Sequence, residues 1–285
     1  MKRRCWPNSA SWPQRYSEPA ADPVDYTNLE VERDGHVALV TFNRPQVCNA
    51  VDRNHLLEIE HCALSFRDDA EIRAVIFTGA GRHFCAGADL NELKDLAAEP
   101  LVLRRRRQRL GERALHAILG MDQITIGAWN GGALGGGACL ATAMDFRLGT
   151  PDCFMQYPEI DLGMNLMWQS LPLTVRLLGP TRAKRLVIGG ERIGAETLLA
   201  WGLLEEIVPP DVLLARARAF ATTYVDKSPI AAQMIKRSIN SIAGALDRAL
   251  MHMDADQNLF ARTTADAGAA ATAYLAGETP RFTGD

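Results

Sequence analysis

The chain has 285 residues, 47% apolar and 23% charged, with a formal net charge of −3. This balance suits a soluble protein with a core large enough to fold without disulfides or metal, and it argues against a nucleic-acid binder, which carries a basic domain. The six cysteines form no CxxC pair and no histidines cluster at zinc spacing, so they read as reduced thiols of a cytoplasmic protein with no metal site.

Residues 1–25 are polar and Pro-rich, and their basic start is not followed by an apolar stretch. They read as a flexible extension rather than a secretory signal. No run approaches the roughly 18 apolar residues of a membrane span. Two strands are expected over Leu29–Arg33 and His36–Phe42, joined at Asp34-Gly35. Asp52 is placed to cap a helix running to about Phe66. Ala74–Thr78 is a β-branched apolar run of the kind buried on both faces of a sheet. A helix over Leu101–Leu119, a strand over Ile124–Trp129 and a loop over Asn130–Gly137 follow. Ala138–Met144 reads as a short helix, and Phe146–Leu148 and Cys153–Gln156 as strands. Helices over Arg182–Ile188 and Ala195–Ala200 precede a short strand at Glu205–Val208, and Val212–Ala276 is helical with a break at Ser228-Pro229. Strands alternating with helices, then helices alone, make an α/β pattern.

Two segments share one design: an apolar strand, a Gly-rich turn and a helix start. They are Ala74–Thr78 with Cys85-Ala86-Gly87-Ala88-Asp89, and Ile124–Trp129 with Asn130–Gly137. Glycine lets backbone N–H groups approach a ligand, and a helix start leaves N–H donors unpaired. Two such donors aimed at one point stabilise an oxyanion. Neither segment fits the glycine patterns of dinucleotide or P-loop sites.

Phe84–Leu90 (FCAGADL), Asn130–Gly137 (NGGALGGG) and Tyr157-Pro158-Glu159-Ile160 with Leu162-Gly163 together resemble the crotonase, or enoyl-CoA hydratase/isomerase, family. Asn43-Arg44-Pro45, Asn49-Ala50, Gly179–Val208 and Lys227-Ser228-Pro229 extend the likeness from about Leu29 to Gly284. The resemblance implies an α/β crotonase-like spiral of ββα units over residues 26–210. A helical C-terminal region over 211–285 would carry the contacts of a homotrimer or dimer of trimers. It also implies an acyl-CoA substrate, with no cofactor beyond the coenzyme A moiety and no nucleic-acid or membrane partner. The N–H groups of Ala88 and Gly136 would hold the thioester oxygen. Arg44, Cys48 and Ala50, with Ala86, Asp89 and Leu90, would hold the coenzyme A.

Hydratases of this family pair two glutamates. Glu159 is the second, and Cys139 stands at the first. One glutamate suffices to move a proton along an enoyl chain, as in family isomerases, whereas hydration must also activate water. Met167 stands where some relatives carry a further aspartate, and it and Trp168 are expected to line the acyl pocket. Asp89 reads as a helix cap, and Cys139 as a small residue filling the space of the missing glutamate. Arg104–Arg107, Lys227 and Lys236 are minor candidates for coenzyme A phosphates. The expectation is an enoyl-CoA isomerase or hydratase with Glu159 as acid/base. The alternatives are a catalytically weak acyl-CoA-binding member and a thioester hydrolase.

Overall fold

A computed structural model describes residues 25–89 and 99–285. Leu90, most of residues 1–25 and any helix directly after Asp89 therefore lie outside the described residues.

Six strands form the larger sheet: β1 (Leu29–Asp34), β2 (Val37–Phe42), β3 (Ala74–Gly79), β4 (Ile124–Trp129), β6 (Phe146–Gly149) and β9 (Glu206–Ile207), paired in that order. β1 and β2 are an antiparallel hairpin in which Asp34 still pairs with Val37, so the turn is Gly35-His36, one residue later than the sequence suggests. All other pairs in this sheet are parallel. A smaller sheet holds β5 (Ala133–Leu134), β7 (Phe154–Gln156) and β8 (Ile193–Gly194).

The helices are α1 (Arg53–Ser65), α2 (Leu101–Leu119), α3 (Gly136–Thr142), α4 (Ser170–Val187), α5 (Ala195–Ala200), α6 (Leu213–Val225), α7 (Pro229–Ala243), α8 (Asp247–Met251), α9 (Asp254–Ala261) and α10 (Ala265–Ala276). Asp52 caps α1 as expected, its side chain accepting from the N–H of His55 at 2.8 Å. α4 is two helices merged across Gly179, whose φ of 75° breaks the first before Pro180 restarts the second.

The order β1-β2-α1, β4-β5-α3, β6-β7-α4 repeats one unit. In the second and third repeats one strand joins the large sheet and the next joins the small one. After β3, Cys85 joins the small sheet through a single bridge to Ala133. Each pass of the chain thus leaves a strand end and a turn at the seam between the sheets, and the site is built there.

Alternation along the strands divides the core. Ile76, Ile126 and Leu148 pack on Leu213, Ala217 and Ala221 of α6. Val75, Phe77 and Trp129 face the opposite way, towards Ile59 and Ala63 of α1 and Leu115 and Ile118 of α2. Every residue of β3 is buried, as its apolar run predicts. Burying each large apolar side chain there contributes about 1.5–3 kcal/mol. No helix among the described residues is long and apolar enough to cross a membrane.

Candidate active site

The first turn is held from behind by residues 44–51. Asn49, fully buried with φ of 57°, donates to the carbonyls of Ala80 (2.9 Å) and His83 (2.8 Å) and accepts from the N–H of Arg44 (2.9 Å). Cys48, also at positive φ, accepts from the N–H of Ala86 at 3.0 Å. Val51 bonds both ways around Ala88: its N–H donates to Gly87 O (2.7 Å) and its carbonyl accepts from the N–H of Asp89 (3.0 Å). This bridge leaves the N–H of Ala88 outside the ladder. Arg44 fixes the same corner, with its guanidinium on Asp52 (2.9 Å), Asp89 (3.1 Å) and the Ala50 carbonyl.

The second turn lies directly against the first. Cys85 accepts from the N–H of Leu134 at 3.0 Å and donates its own N–H to Gly132 O at 3.1 Å. A Cβ on Gly87 would stand 2.6 Å from Leu134 O and 3.1 Å from the nitrogen of Gly136, so only glycine permits this approach. Gly135, at φ 47°, enters α3, whose first residue is Gly136. The N–H groups of Ala88 and Gly136 are bonded to no backbone carbonyl among the described residues.

Glu159 sits on a 3-10 turn, Pro158–Leu162, across from Gly135. A Cβ on Gly135 would lie 2.8 Å from its Oε1. The residue is half-buried, but Oε2 is shut off from solvent and finds no hydrogen-bond partner. Burial therefore pushes its carboxyl up to about 7. Cys139, one turn into α3, is buried with its Sγ 3.1 Å from Ser170 Oγ. Burial, then the nearby charge of Glu159, raises its thiol well above the ordinary value, so it stays protonated. The Trp168 indole packs against this floor, where a Cβ on Gly136 or on Gly111 of α2 would overlap the ring.

These groups line one cavity of about 390 Å³. Of the residues singled out in the sequence, Ala86, Ala88, Gly136, Cys139, Glu159, Met167 and Trp168 line it. Arg44, Cys48, Ala50 and Asp89 lie behind the first turn instead. Arg44 and Asp89 pair with each other, and the helix that Asp89 is expected to cap lies outside the described residues. Lys236, a candidate for coenzyme A phosphates, is buried with its ammonium 2.6 Å from Asp145 and on Gln123 O. Arg105 and Arg107 of the basic run pair with Asp256 and Glu99. Sequence reasoning missed Asn258, Arg262 and Tyr274, which reach the cavity from the C-terminal helices. Only the apolar wall, Leu162 to Met167, was close enough in sequence to Glu159 to be inferred from it.

A model of the enoyl-CoA hydratase/isomerase family matches residues 32–285. The chain belongs to this family. Among family members, it is 33% identical over 218 residues to a short-chain-enoyl-CoA hydratase of Clostridium acetobutylicum, covering 76% of this chain and 82% of that one. It is 32% identical over 252 residues to a crotonyl-CoA hydratase of Syntrophomonas wolfei, covering 88% and 95%. The crystal structure of an enoyl-CoA hydratase from Mycobacterium avium subsp. paratuberculosis superposes with a TM-score of 0.80 at 24% identity, over 91% of this chain and all of that one, which shows the shared crotonase fold.

Proposed function

We propose that the protein acts on an enoyl-CoA, with the N–H groups of Ala88 and Gly136 holding the thioester oxygen and Glu159 as the single acid/base. The observation that carries this is the Glu159 carboxylate. Its Oε2 is buried without a partner in the same cavity as two N–H groups unused by the backbone. In the favoured reaction the carboxylate removes a proton from C2 of a 3-enoyl-CoA. The electron pair moves through the carbonyl onto the thioester oxygen, where the two donors stabilise it. As the enolate collapses the double bond becomes C2–C3, and C4 takes the proton back from Glu159. The turn Ala86–Asp89 and the backbone of residues 44–50 would hold the coenzyme A, Arg44 acting through the loop it braces. Cys139 and Trp168 shape the acyl side, and no further cofactor enters the scheme.

Hydration is the second reading, favoured by the hydratase names of the relatives at 33% and 32% identity. Mass spectrometry in D2O with 3-enoyl- and 2-enoyl-CoA separates the two. Isomerisation gives the shifted alkene without the mass of added water, whereas hydration adds that mass. Loss of turnover in Glu159→Gln is expected, by about a hundredfold or more. Unchanged turnover would remove Glu159 from the chemistry. Free thiol release would make the protein a hydrolase, and coenzyme A binding without turnover a binding member.

A further inference from the structure

The cavity contains a cation that the proposed chemistry does not use. Arg262 follows α9 directly, its N–H bonded to Asn258 O at 3.1 Å. Asn258 also lines the cavity but is committed to the protein, donating to Asn165 O (3.2 Å) and accepting from Gln108 Nε2 (3.3 Å). Arg262 is not. Its half-buried guanidinium makes no ion pair among the described residues, and its Nε is shut off from solvent with no acceptor. Besides Glu159, two carboxylates line the same cavity without an ion pair to it: Asp161 stands against Gly190, and Glu278 is exposed. Asp266, four residues on, accepts from the N–H groups of Thr283 (2.7 Å) and Gly284 (2.9 Å). Burial alone lowers the pKa of Arg262, with no acid close enough to counter it, yet a guanidinium remains charged. An unpaired cation in a largely apolar cavity is unfavourable unless an anion joins it.

We propose that Arg262 binds a carboxylate carried on the acyl group, so that the substrates are monothioesters of dicarboxylic acids. This rests on the acyl-CoA reading above: the thioester oxygen sits at the two turns and the free carboxylate at Arg262. Charge-assisted pairing with a guanidinium selects such an acyl group over its neutral counterpart.

Binding to saturated ligands tests the subsite without turnover. By calorimetry, the protein should bind glutaryl-CoA at least about tenfold more tightly than pentanoyl-CoA. Arg262→Met should abolish that preference while leaving pentanoyl-CoA and free coenzyme A within about twofold, and Arg262→Lys should keep part of it. Equal affinities in the unaltered protein would overturn the proposal. So would Arg262→Met weakening free coenzyme A as much as glutaryl-CoA, since Arg262 would then hold the other end of the ligand. If Arg262→Met does not fold, the preference of the unaltered protein and of Arg262→Lys decides. A glutaryl-CoA preference with no turnover of any enoyl-CoA would leave the subsite standing and sink the reaction. Turnover with no preference would do the reverse.

Discussion

Single atoms govern the distance between the two turns. Gly87 has φ of 86° and no room for a methyl group beside Leu134 O. Gly87→Ala should push the turns apart and misplace Ala88 or Gly136. Losing one donor of an oxyanion site costs about 10²–10³ in kcat, and steady-state kinetics should show a fall of that order with the fold retained by circular dichroism. Glu159 makes a prediction in pH. Burial moves its carboxyl from 4.5 to about 7, and only the carboxylate can accept the C2 proton. kcat/KM for isomerisation should therefore rise with pH and level off above about 7. Stability runs the other way. The folded state holds the proton more tightly than the unfolded chain, so stability declines as pH rises from about 4.5 to about 7 and is then flat in this group's contribution. Glu159→Gln lacks this group, so its Tm relative to the parent should be higher at pH 8 than at pH 4.5. A constant difference would show that the carboxyl is not buried as described.

At the scale of elements, α2 and the segment before α4 lock together through Trp168. An exposed glycine inside a helix gains about 1 kcal/mol when replaced by alanine. Gly111 should do the opposite, because its missing Cβ is the space the indole occupies. Gly111→Ala should lower Tm, with a loss of about 1–3 kcal/mol typical of overpacking, and a smaller side chain at 168 should recover part of it. Trp168 and Gln169 both have positive φ, at 65° and 55°. No side-chain pattern announces two such residues in a row, so helix Ser170–Leu178, which starts immediately after them, was not legible in the sequence. The two-residue strands β5 and β8 were equally hidden, since alternation has no period to show over two positions. Long patterned segments fared differently: α2 and β4 begin and end where their apolar spacing places them. The site divides in the same way. Its two turns and Glu159 stood in compact motifs. Arg262 stands in no motif, and the turn that parts it from Asp266, four residues on, carries no signal in the sequence.

The whole molecule carries an uncovered apolar stripe. Ile230, Met234, Ile235, Ile239 and Ile242 of α7 are all more than half exposed, while Lys236 on the opposite face anchors the helix to Asp145 and Gln123 O. A stripe of that kind marks an association surface, and we propose that copies of this chain cover it in a homotrimer or dimer of trimers. Light scattering should give a multiple of the monomer mass, and Ile235→Glu with Ile239→Glu should reduce it to one chain. A monomeric parent protein would end the proposal. One contact links the far end of the chain to the cavity wall. The buried Asp254 of α9 accepts from the backbone N–H of Gln169 at 2.6 Å, while the Gln169 side chain bonds Glu112 and His116 of α2. The bend that sets Trp168 over Gly136 is thus secured by a residue made 85 positions later. On the ribosome, a nascent chain that has not reached Asp254 has both turns and Glu159 but no fastened wall behind them. The substrate chamber would be fastened only once Asp254 has emerged and folded back onto Gln169.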